Sequence, residues 1–104
     1  MRLALESDFT VVGEASDGWE ALQLVRELQP HVVVTGIRIP GLDGIALTER
    51  LRQDFPNCAV VILSLYDDAA TREKATKAGA AFFISKKNPN GELVNAIRSA
   101  TEKS

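Results

Sequence analysis

Cysteine is almost missing from this chain. Cys58 is the only one in 104 residues, which excludes an internal disulfide framework and any multi-cysteine metal site. Long apolar runs are missing too; nothing approaches the roughly 18 consecutive residues of a membrane span. The N-terminal MRLALESDF is too short and too acidic for a signal peptide, so a cytoplasmic location is expected, with no membrane partner. There is no excess of one charge: 12 basic residues face 14 acidic ones, a formal net of −2. A dedicated nucleic-acid binder would be basic, so that class is disfavoured. Neither GxGxxG nor GxxxxGK[ST] occurs, and dinucleotide and P-loop readings fall with them.

What remains is ordinary globular composition, 45% hydrophobic and 25% charged, in a length that suits one domain over residues 1–104. The charge is uneven along the chain. Residues 1–68 carry eleven acids and five bases, while residues 69–104 carry seven bases and three acids. One reading is scattered surface charge in a compact body; the other is a basic face that meets an acidic partner.

Short apolar runs alternate with helix-period segments. TVVGEA (10–15) reads as a strand, and Ser16 or Asp17 as the cap of a helix reaching Leu28, with Trp19, Leu22, Val25 and Leu28 on its apolar stripe. Trp19 reads as core or helix–sheet packing, with contact to a partner as the alternative. Pro30 ends that helix, and HVVVTGI (31–37) is a β-branched run suited to a strand covered on both faces. RIPGLDG (38–44) is a loop; Ile45, Leu47, Leu51 and Phe55 restore helical spacing up to Pro56. CAVVILSL (58–65) is the next strand. Asp67 or Asp68 caps a helix ending near Ala78, with Gly79 as its terminator. The apolar side of this helix is alanine, so it buries little area and is expected to be held least firmly. AAFFIS (80–85) is a fourth strand, and a last helix is expected from about Asn90 to Thr101. The alternation predicts an α/β fold, a parallel sheet with helices on both faces and right-handed crossovers. MRLALE reads as the stub of a helix ahead of the first strand.

In open parallel sheets the site lies beyond the carboxyl ends of the strands. The polar residues gathered there are Glu14, Asp17, Thr35, Ser64, Ser85 and Lys86. A hydroxyl and an ammonium at neighbouring strand ends, Ser64 and Lys86, suit an anion such as phosphate; the plainer reading is a loop hydrogen bond and a solvated lysine. No carboxylate ends the second strand, where Gly36 stands, and no acidic pair is arranged for a metal. No metal and no cofactor are expected. Asp43 reads as a turn or cap residue, Asp67 and Asp68 as caps, His31 as structural and Cys58 as a buried or half-buried thiol.

VVGEASDGWEAL (11–22), QPHVVVTGIRIPGLDGI (29–45), VVILSLYDD (60–68), KAGAAFFISKK (77–87) and ELVNAIR (92–98) together resemble a response-regulator receiver domain of the CheY-like, flavodoxin-like fold, as found at the N-terminus of LuxR/NarL-type transcription regulators of two-component systems. That resemblance implies roles. Ser64 falls on the switch hydroxyl, Phe83 on the aromatic rotamer switch and Lys86 on the lysine that pairs with the phosphoacceptor. Arg38 falls two residues past the acceptor, and the acceptor position is Gly36, which has no side chain to phosphorylate. Thr35 is expected to point to the opposite face and is a poor substitute. The resemblance implies that the chain starts in the last turns of the first helix, so that the family's first strand with its acidic pair and most of the first helix are expected to be absent.

The resemblance therefore implies a degenerate receiver, not an enzyme and not phosphorylatable, acting through protein–protein contacts on a face that includes Arg72, Lys74, Lys77, Lys87 and Arg98. A protein partner or self-association is expected, as a domain-swapped or edge-paired dimer, because a lost central strand leaves an edge to fill. No DNA-binding domain is expected in this chain, and direct DNA binding by it is not expected. The alternative is a pseudo-receiver that binds a small anion near Ser64, Ser85 and Lys86. A third reading is phosphotransfer at an unexpected residue.

Overall fold

The computed structural model describes residues 15–39, 41–65, 68–86, 95–96 and 98–99. Its elements are α1 (Gly18–Leu28), β1 (Val32–Thr35), α2 (Gly44–Asp54), β2 (Ala59–Ser64), α3 (Ala69–Ala78) and β3 (Phe82–Ser85). Residues 95–96 and 98–99 are also helical. The strand expected at TVVGEA and the helical stub at MRLALE lie outside the described residues, except for Ala15.

The three described strands are parallel in the order β1-β2-β3. Central β2 is the most buried of them; Val60, Val61 and Ile62 have no exposed surface. Side chains alternate across a strand, and the core divides accordingly. Val60 and Ile62 pack with Leu22, Val25, Leu47, Leu51 and Ala75 of the three helices. Val61 and Leu63 pack on the other face with Ile84 and Ala96. Helices thus cover both faces, as the continuous apolar run at residues 59–63 requires. Among the described residues no helix is long and apolar enough to cross a membrane.

Each of α1, α2 and α3 begins on an aspartate. Asp17 accepts from the Glu20 amide at 2.8 Å and Asp43 from the Ala46 amide at 2.9 Å. Asp68 accepts from both the amide and the hydroxyl of Thr71, at 3.1 and 2.7 Å. These bonds satisfy donors that a helix start otherwise leaves open. The Thr71 hydroxyl, then the Thr71 amide, hold the Asp68 carboxyl below the usual carboxylate range. At its start α1 adds a reciprocal contact, the Ser16 amide donating to Glu20 Oε1 at 2.8 Å. Gly79 ends α3 in the left-handed conformation at φ 103°, as the sequence predicts, whereas α1 is ended by Gln29 at φ 46°.

Two expectations for α1 are corrected. Trp19 is 55% exposed and Leu28 is 45% exposed. The buried line of the helix runs through Gly18, Leu22 and Val25. Trp19 follows Gly18, so it sits about 100° around the helix from that line, and its indole rests against Gly41 in the loop after β1.

Cys58 is buried, as expected, immediately before β2. Burial pushes its thiol up to about 11, against a smaller opposing pull from the Arg52 charge. The neutral thiol is therefore the form the fold favours. Alkylation at pH 8 is expected to run at least ~10-fold slower in the native protein than in urea. Its contribution to stability is full below pH 9 and falls as pH rises toward about 11. A labelling rate that matches the unfolded chain's would contradict the buried assignment.

Candidate functional site

The carboxyl ends of β1, β2 and β3 lie side by side. Ser64 is the register neighbour of Ser85, and the Lys86 amide donates to the Ser64 carbonyl at 2.9 Å. The structure therefore brings together Ser64, Ser85 and the start of Lys86. Ser64 is buried, Ser85 half-buried and Lys86 exposed. Thr35 is level with Ile62, on the sheet face that packs against α1–α3, and its hydroxyl donates to the Gly36 carbonyl at 3.0 Å.

Gly36 follows directly on Thr35. Its φ lies in the ordinary range, and a Cβ there would stand 3.8 Å from the Leu63 carbonyl oxygen and 4.0 Å from Ile39 Cγ2. These are normal contact distances, so the backbone at this strand end admits a side chain.

The loop from Gly36 to Asp43 is pinned from two sides. A Cβ on Gly44 would run into the Gly36 carbonyl, and one on Gly18 into the Leu42 carbonyl. Gly44 N–H donates to the Ile37 carbonyl at 2.8 Å, and the buried Thr48 hydroxyl donates to the Gly44 carbonyl at 2.7 Å. Both close approaches occur at the same dipeptide, Asp-Gly, at 17–18 and 43–44. In each the aspartate caps the helix while the glycine lets it press on backbone. The role of these glycines escaped the sequence reading; the repeated dipeptide at two helix starts is the signal that marks them.

The capping geometry also decides what the local carboxylates can do. Asp17, Asp43 and Asp68 each accept from the amide of the residue three positions on, Asp68 from a hydroxyl besides. Asp67 lies outside the described residues. Among the described residues no three His, Cys, Asp or Glu side chains are grouped to hold a metal ion. A cleft of about 620 Å³ opens between α2 and α3, lined by Arg38, Asp43, Glu49, Asp68, Thr71 and Lys74 among others. Its charges are mixed, so it favours no one ligand sign.

On the α1–α3 face, half-buried Phe83 packs against the larger core cluster, and the Arg72 guanidinium of α3 stands 4.8 Å from its ring centroid. Arg72, Lys74 and Lys77 are exposed along α3, with Lys77 also 2.9 Å from Glu73. Arg98 is half-buried, and Lys87 lies outside the described residues.

This arrangement of parallel strands, with helices opening from their carboxyl ends, has a counterpart in known proteins. The profile of the response regulator receiver domain matches residues 1–98. The chain belongs to that family. It is 36% identical over 97 residues to the transcriptional regulatory protein DesR of Bacillus subtilis, covering 93% of this chain and 48% of that protein. It is 34% identical over 99 residues to the oxygen regulatory protein NreC of Staphylococcus carnosus, covering 94% of this chain and 46% of that protein. This receiver chain spans about half the length of the curated relatives it matches. Among solved structures, the signal receiver domain of the putative response regulator NarL from Mycobacterium tuberculosis superposes with a TM-score of 0.84 at 33% identity, covering 91% of this chain and 77% of that one. The response regulator domain of Thermotoga maritima CheB gives 0.84 at 30% identity, covering 93% and 80%. The receiver fold and the kinship with two-component response regulators are thereby established.

Proposed function

We propose that this receiver domain passes its signal through protein–protein contacts without a phosphoryl group at residue 36. The observation that carries the reading is Gly36 itself. The end of β1 has room for a side chain, with ordinary backbone and a would-be Cβ 3.8 Å from its nearest neighbour, yet the residue there has no nucleophile. Phosphoryl transfer needs nucleophile and charge-neutralising metal together. Thr35 does not replace the carboxylate: it is buried and its hydroxyl donates to the adjacent carbonyl. The nearby aspartates serve as helix caps. On this reading Ser64, Phe83 and Lys86 keep family positions without the group they would answer to. The contact face is the basic one that includes Arg72, Lys74, Lys77 and Arg98, to which the family resemblance adds Lys87, and its partner is an acidic protein surface, a second copy of the chain being one form of self-association.

The test is direct. The chain is incubated with acetyl phosphate and Mg²⁺ and its intact mass is measured; no phosphoryl adduct is expected, and a stable one overturns the reading. The register of Ser64 with Ser85, and the backbone bond that ties Lys86 to Ser64, favour one second reading, a weak anion site at these residues. Calorimetric titration with inorganic phosphate decides it, and an absence of heat removes it.

A further inference from the structure

Helix α3 is attached to the molecule differently from α1 and α2. Its buried residues are Ala75 and Ala78 alone, against Leu22 and Val25 in α1 and Leu47, Thr48 and Leu51 in α2. Two alanine side chains contribute little apolar area, so hydrophobic burial holds this helix weakly. Two long cationic side chains lie along it. The Arg72 guanidinium sits 4.8 Å from the centroid of the Phe83 ring, reaching from α3 to β3. At the other end the Arg52 stem of α2 crosses Gly79, where a Cβ would be 2.6 Å from Arg52 Cγ. Arg52 is in turn fixed by its bond to the Pro56 carbonyl at 2.9 Å. The left-handed Gly79 thus gives that arginine its passage.

We infer that the Arg72 guanidinium seated on the Phe83 ring is a latch that holds α3 on the sheet, and that α3 opens as a unit, ahead of α1 and α2, when the latch is released. A guanidinium over an aromatic face is a directional contact with two ends, and it is made or broken without emptying a hydrophobic cavity. That suits an element with a shallow apolar footing. Helix α3 also carries Lys74 and Lys77, so opening it rearranges exposed positive charge. The inference does not depend on whether residue 36 takes a phosphoryl group.

Native-state hydrogen exchange on the full chain, read by mass spectrometry, tests the latch. In Arg72→Ala, amides of residues 72–78 are expected to exchange about two- to five-fold faster, the range set by an exposed cation–π contact, while α1 and α2 stay at wild-type rates. Arg72→Lys, which keeps a cation over the ring, is expected between the two. Phe83→Leu, which also loses ring packing against the core cluster, speeds α3 at least as much as Arg72→Ala, and adding Arg72→Ala to it speeds α3 no further, since the contact they share is already gone. Lys74→Ala on the same helix is expected to leave α3 exchange unchanged. Unaltered exchange in α3 on Arg72→Ala, equal acceleration in all helices, or full additivity of the two substitutions overturns the latch.

Discussion

A chain carrying Gly44→Ala is expected to melt about 12–20 °C below the wild type, a loss of about 3 kcal/mol. Alanine ordinarily improves a helix at the expense of glycine, so local propensity predicts the opposite sign. The loss arises because the added methyl has nowhere to go. It would enter the Gly36 carbonyl and stand 2.9 Å from the Gly36 carbonyl carbon and from Ile37 Cα. All of these are backbone atoms, and no side chain can rotate away. Relief requires α2 to retreat from the end of β1, which stretches the Gly44 N–H bond to the Ile37 carbonyl and disturbs the fully buried Leu47 and Thr48 one turn on. Gly36→Ala is the control. Its methyl meets nothing closer than 3.8 Å, so a shift within ~1 kcal/mol is expected. Thermal melts of the two variants side by side separate a glycine that the fold demands from one that it merely contains. Equal melting temperatures would show that the close approach at Gly44 is relieved at no cost.

The contrast between those glycines marks what could be read from the chain and what could not. Features that depend on a few consecutive residues were legible. Asp17, Asp43 and Asp68 cap the helices they precede, Gly79 ends α3 with positive φ, and Asp54 is the last residue of α2 ahead of Pro56. The buried run in β2 was legible because an apolar stretch without alternation has one economical use in a parallel sheet. Gly36 was conspicuous as a missing carboxylate, although only the folded chain shows that the space beside it is open. Features that depend on how elements meet were not legible. The burial of one face of α1 is set by the approach of Gly18 to the Leu42 carbonyl; that choice turned Trp19 outward, against the expectation from its place on an apolar stripe. The pairing of Arg72 with Phe83 links residues eleven apart in sequence on different elements, and no local pattern announces it.

Leu51→Ala is expected to cost about 3–4 kcal/mol, the range for emptying a leucine site that cannot collapse. Leu51 has no exposed surface and belongs to the cluster formed by Leu22, Val25, Leu47, Val60 and Ile62. Alanine is a strong helix former, so α2 keeps its local preference and the loss reports the cavity. Leu51→Met, which conserves volume, is expected to cost less than ~1.5 kcal/mol. Denaturant unfolding checks both, with an unchanged slope confirming that the midpoint shift is a stability change. The position matters beyond stability. Two turns upstream in α2 is Gly44, which presses on the carbonyl of Gly36, and α2 and α3 together flank the cleft that holds Arg38 and Lys74. The leucine therefore anchors the helix that fixes the loop at the sheet's carboxyl edge, and Arg52, the next residue, reaches across Gly79 to the end of α3. If α2 is the rigid post against which α3 opens, Leu51→Ala accelerates exchange in α2 and α3 together, whereas Arg72→Ala accelerates α3 alone. A Leu51→Ala chain in which α3 speeds up while α2 keeps its protection would show that the two helices are not joined in this way.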